Sequence, residues 1–162
     1  MKKALSLLIV GFLFCTLFSF SAFAEDPINE PDSGTIVDIE YLDNGDYIVT
    51  YLDDGEIYGD GNDKSTTVTK TKTKKYLNSA GDTMWAIRVQ GTFTYNGTTC
   101  TCTKAAHKAT SYASTWTIIS ASHSKSGNHA TATATARHTS PTGYNDYTRS
   151  VTLTCSPTGV FS

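Results

Sequence analysis

The chain has 162 residues, 39% of them hydrophobic and 17% charged, with 13 Lys and Arg against 15 Asp and Glu. That is one ordinary globular domain, long enough to bury a core without a structural metal, and too apolar for a disordered polyelectrolyte. A formal net charge of −2 gives no ground for a nucleic-acid partner.

The first element is a leader. Lys2 and Lys3 precede an apolar run from Ala4 to Phe20 that ends in Ser21-Ala22-Phe23-Ala24. Small residues at −3 and −1 before Glu25 predict a secretory signal peptide over residues 1–24. The protein is therefore expected to be secreted and extracellular, where disulfides persist. No later stretch is apolar enough to span a bilayer. Residues 25–34 are polar, acidic and proline-bearing, and read as a flexible acidic leader.

Residues 35–63 read as an acidic β-hairpin segment. Tyr41-Leu42-Asp43-Asn44-Gly45-Asp46 recurs ten residues on as Tyr51-Leu52-Asp53-Asp54-Gly55-Glu56. Asn-Gly and Asp-Gly supply the positive φ of tight turns, so two successive hairpins are predicted from strands over 36–42, 46–52 and 56–59. Asp53, Asp54, Glu56, Asp60, Asn62 and Asp63 are oxygen donors dense enough for a hard cation. They lack the spacing of a helix-loop-helix site and are read as solvated turns, with no metal assigned.

Residues 64–162 read as a β-sandwich domain. The Thr/Lys alternation up to Lys75 predicts a strand at a sheet edge, its lysines discouraging further pairing. Residues 85–95 alternate strictly: Trp85, Ile87, Val89, Gly91, Phe93 and Tyr95 on one face, Ala86, Arg88, Gln90, Thr92 and Thr94 on the other. The first face is expected to be shielded and the second wet. Asn96-Gly97 turns the chain into Thr98–Thr103, and residues 104–114 have room for one short helical turn at most. Further strands are expected around Trp116 to Ile119, over His129–His138 with its alternate alanines, and at Val151, Leu153 and Cys155. Short strands with turn chemistry between them predict an all-β chain: a single antiparallel β-sandwich, immunoglobulin-like or similar, with an N-terminal β-hairpin extension.

Three cysteines follow the leader: Cys100, Cys102 and Cys155. Cys100 and Cys102 share a strand face, so a bond between them strains the backbone, and one of them pairing with Cys155 is easier. Catalysis needs a nucleophile, a histidine and an orienting carboxylate. His107, His123, His129 and His138 sit in no such sequence context and read as surface histidines. Glycan binding is the sharper functional reading, because sugar rings lie on exposed aromatics and Tyr41, Tyr47, Tyr51 and Tyr58 cluster in the hairpins.

Charge is unevenly spread. Residues 25–63 hold 13 carboxylates and no Lys or Arg, whereas residues 64–162 hold only Asp82 and Asp146 with 11 cations. Such ends pack on each other, stand solvated, or recruit a charged partner such as an anionic cell-wall polymer.

Trp85, the Val89–Gly97 series, Cys102, Trp116, Ser124-Lys125-Ser126-Gly127-Asn128 and Val151-Thr152-Leu153-Thr154-Cys155-Ser156 are similar to a family of small secreted Gram-positive bacterial proteins of unknown function. Tyr41-Leu42-Asp43-Asn44-Gly45-Asp46-Tyr47 resembles it as well. The resemblance implies a fold and no catalytic residues. It also implies that the disulfide joins Cys102 to Cys155 and that Cys100 is spare. The expectation is a secreted non-enzymatic module, binding or structural, with no cofactor. A glycan or cell-wall binder is its sharper form, and a secreted hydrolase is the rival from another class.

Overall fold

A computed structural model describes residues 34–53, 55–58 and 65–162, with only the main chain for residues 56–58. The signal-peptide reading, all of the acidic leader but Gly34, and the candidate cation donors Asp54, Asp60, Asn62 and Asp63 lie outside the described residues.

The described chain is all strand and turn: β1 (Thr35–Tyr41), β2 (Tyr47–Leu52), β3 (Glu56–Tyr58), β4 (Thr66–Leu77), β5 (Thr83–Tyr95), β6 (Cys100–Ser111), β7 (Trp116–Ser126), β8 (His129–Ser140) and β9 (Gly143–Thr154). Two antiparallel sheets form. One runs β1-β2-β4-β5-β6, with β3 also on β4, and the other runs β7-β8-β9. The order is a meander, and the Greek-key crossing that defines immunoglobulin domains is not among the described connections.

The core lies between the sheets. Trp85, Ile87, Val89 and Phe93 of β5 are fully buried against Ala130, Ala132, Ala134 and Ala136 of β8 and Val151 and Leu153 of β9. Small residues on β8 let the large rings of β5 approach, the interdigitation that two packed sheets require. Trp116 closes one end, its ring 5.2 Å from those of Tyr76 and Tyr147 and 4.8 Å from His138.

Three expectations are corrected. The second face of β5 is only partly wet: Gln90, Thr92 and Thr94 are half-buried, but Ala86 is 1% and Arg88 2% exposed. β5 has ladder partners on both sides, so Arg88 lies in register between Thr73 and Lys108, with Tyr112 Oη 3.4 Å from its guanidinium. Second, β4 is no edge strand: it pairs with β5 on one side and with β2 and β3 on the other. Third, β2 and β3 do not form a hairpin, because both lie on β4, one on each half of it. Asp53 marks the junction, its Oδ1 accepting from Thr71 N at 2.7 Å. Residues 104–111, with room for one short helical turn at most, hold none. They continue β6 beside β5, whose ladder outweighs the helical preference of Lys104-Ala105-Ala106.

Candidate binding surfaces

The tyrosines come first. The β1–β2 turn has Gly45 at φ 86° and Leu42 N bonded to Asp46 O at 2.9 Å. It sets Tyr41 directly opposite Tyr47, with ring centroids 5.9 Å apart. Two-residue periodicity puts Tyr51 on the same outward face, where Lys75 Nζ lies 5.2 Å from its ring centroid. Tyr41 is 78% exposed, and Ile36 and Ile39 beside it are exposed too. Tyr58 is not part of this group. Its main chain pairs with Thr67, at the opposite end of β4 from Leu77, the partner of Tyr47.

The histidines and the domain's two carboxylates have other partners. His107 and His123 face each other across the two sheets, Nδ1 to Nδ1 at 2.7 Å. His129 Nδ1 is 2.9 Å from Thr154 Oγ1. Asp82 accepts from Asn78 Nδ2 at 3.0 Å. Asp146 is forked by Arg137 at 2.7 and 2.8 Å, which holds its carboxyl below the usual range, and Arg137 lies over Tyr144 at 3.9 Å. Among the described residues, no group of three His, Cys, Asp or Glu is placed to hold a metal.

All three cysteines are free, so the Cys102–Cys155 bond is corrected. The two segments do meet: Cys102 N donates to Gly127 O at 2.7 Å and Cys155 N to Asn128 O at 3.1 Å, both on the β7–β8 turn. The Cys102 thiol, however, donates to Lys104 O at 3.1 Å. A bulge in β6 opposite Thr92 and Phe93 aims this stretch, and the thiol that meets Cys155 is that of Cys100. Burial, then the Cys100 contact, pushes the Cys155 thiol up to about 12.

One group of residues escaped the sequence reading. The register places Lys70, Lys72 and Lys74 on the same face of β4 as buried Val68 and Tyr76, turned toward the other sheet. Between β1, β2 and β4 on one side and the edge strand β9 on the other is a cleft of about 430 Å³. Lys72, Lys74, Asp38, Thr50, Ser150 and Thr152 line it. The signal was present: Val68 and Tyr76 are even-numbered like the lysines between them, and one strand face has one fate. The edge-strand reading hid it.

Comparison with known proteins assigns no relative to this arrangement: no protein-family model matches the chain, and neither does any curated protein or solved structure.

Proposed function

We propose that the protein is a secreted, non-enzymatic β-sandwich module of a Gram-positive bacterium that binds a glycan or cell-wall polymer through Tyr41, Tyr47 and Tyr51. In this reading β1 and β2 act as an N-terminal hairpin extension of the sandwich. The observation that carries it is the grouping of these three rings on one outward sheet face, Tyr41 being 78% exposed. Phenol rings offer a flat apolar surface with a polar rim, which suits the face of a pyranose. Two strands fix their spacing, so little ordering entropy is lost on binding.

The test is retention on purified cell wall and on a glycan array, using the wild type, Tyr41→Ala and Tyr47→Ala. Each ring is expected to contribute about 1 kcal/mol, so each variant should bind roughly fivefold more weakly. A wild type retained by neither surface, or alanine variants retained equally well, overturns the assignment.

A further inference from the structure

The cleft between the sheets is at a different place from the tyrosine face, and its chemistry is different. Asp38, Thr50 and Lys74 stand side by side across β1, β2 and β4 on the inward face, with Lys72 two residues along. Tyr41 and Tyr47 occupy the outward face of the same strands.

We propose that this cleft binds the phosphate group of a phosphorylated sugar or polyol, held between the Lys72 and Lys74 ammonium groups and the Thr50 hydroxyl. Three observations carry the inference. Lys72 and Lys74 are half-buried and share one strand face, and among the described residues the cleft lining offers two lysines but one acidic side chain, Asp38. Arg149 of β9 adds a third cation, lining a smaller void with Lys74, Tyr76 and Trp85. Thr50 is 2% exposed, and its Oγ1 has no hydrogen-bond partner among the described residues. A buried hydroxyl in that state is destabilising, and an oxyanion accepting from it would offset the cost. The volume, about 430 Å³, exceeds what a bare phosphate needs and admits an attached polyol.

Lys72 shows the crowding. Burial, then the neighbouring Lys74 charge, pushes its ammonium below the ordinary value, and Asp38 opposes that shift. An anion between the two lysines removes their repulsion. Lysine binds phosphate as a point charge, so no forked geometry is needed.

The experiment is a two-dimensional amide NMR titration of the full mature chain. Its arms are glycerol 3-phosphate, poly(glycerol phosphate) and, as controls, glycerol and sodium chloride at matched ionic strength. Glycerol 3-phosphate should shift the amides of Thr50, Lys72, Lys74 and Thr152 at millimolar concentration or below. Lys72→Gln and Lys74→Gln should each weaken binding about tenfold, the loss of one charge-assisted contact. Thr50→Val, a change of similar shape, should weaken it without removing charge. Tyr41→Ala should leave it intact, which separates this site from the glycan face. Binding by the monoester alone points to a free phosphorylated metabolite, and binding by the polymer as well points to a wall phosphodiester. Absence of shifts with both phosphates, equal shifts with glycerol or salt, or unchanged binding in folded Lys72→Gln and Lys74→Gln overturns the proposal.

Discussion

Tyr76 Oη donates a 2.6 Å hydrogen bond to Asp46 Oδ2, joining the ring that abuts Trp116 to the turn that carries Tyr41 and Tyr47. Asp46 also accepts from Ser79 N at 3.2 Å and from Asn44 Nδ2 at 2.8 Å. One carboxylate thus ties the β1–β2 turn to the β4–β5 turn. Asp46→Ala removes the acceptor of a buried phenol and should destabilise the fold by about 2 kcal/mol in urea denaturation. A cost indistinguishable from zero would show that the turn stands without this contact.

The same bond sets a pH dependence. Burial, then the bond to Asp46, raises the Tyr76 phenol from its ordinary 10.0 to about 12. Between those values the unfolded chain ionises this tyrosine and the folded chain does not. Its contribution to stability is complete below about pH 10 and is lost as pH climbs toward 12. Alkaline titration of the phenolate absorbance should show one late tyrosine that disappears in Tyr76→Phe. If all tyrosines titrate together in the folded protein, the hydrogen bond is not formed in solution.

Gly91 leaves no room for a side chain between the sheets. A Cβ built there meets Phe93 Cζ at 2.8 Å and the Ala130 methyl at 3.1 Å. Phe93 therefore lies over the glycine two residues before it, a position that a side chain would occupy. Gly91→Ala should cost about 2 kcal/mol by overpacking, despite alanine's usual advantage over glycine in a strand. Neutral or improved stability in thermal denaturation would mean that the ring moves aside freely.

Oxidation should join Cys100 to Cys155. With oxidised glutathione, the partly exposed Cys100 forms a mixed disulfide, releasing one glutathione. Cys155 then attacks it and releases the second, so two thiols are oxidised and one glutathione disulfide is reduced. The loop so closed is worth about 4 kcal/mol in the chain-entropy model. Peptide mapping should recover a Cys100–Cys155 link, with buried Cys102 alkylated only after unfolding. A Cys102–Cys155 link would restore the pairing implied by the family resemblance.

Residues 85–95 were legible because one strand face carries Trp85, Ile87, Val89 and Phe93 with no exception, and that pattern fixes which way the strand faces. The β1–β2 hairpin and three of its tyrosines were legible for a similar local reason, Asn44-Gly45 between two alternating runs. What was hidden depends on neighbours that a single strand does not encode. Whether Lys72 and Lys74 meet water or an opposing sheet is decided by β2 and β9. Whether Arg88 is exposed is decided by the partners on both sides of β5. The choice between Cys100 and Cys102 turns on a bulge opposite Thr92 and Phe93, which no turn dipeptide announces.

Among the described strands, the polypeptide passes from one layer to the other once, between Ser111 and Trp116. Each layer is consequently built from an unbroken stretch of chain, and nearly every ladder zips between successive strands. Closing such short loops costs little entropy, so hairpins can form early and independently. The contacts most distant in sequence are then those between the layers, and the alanine stripe on β8 is the surface on which they are made.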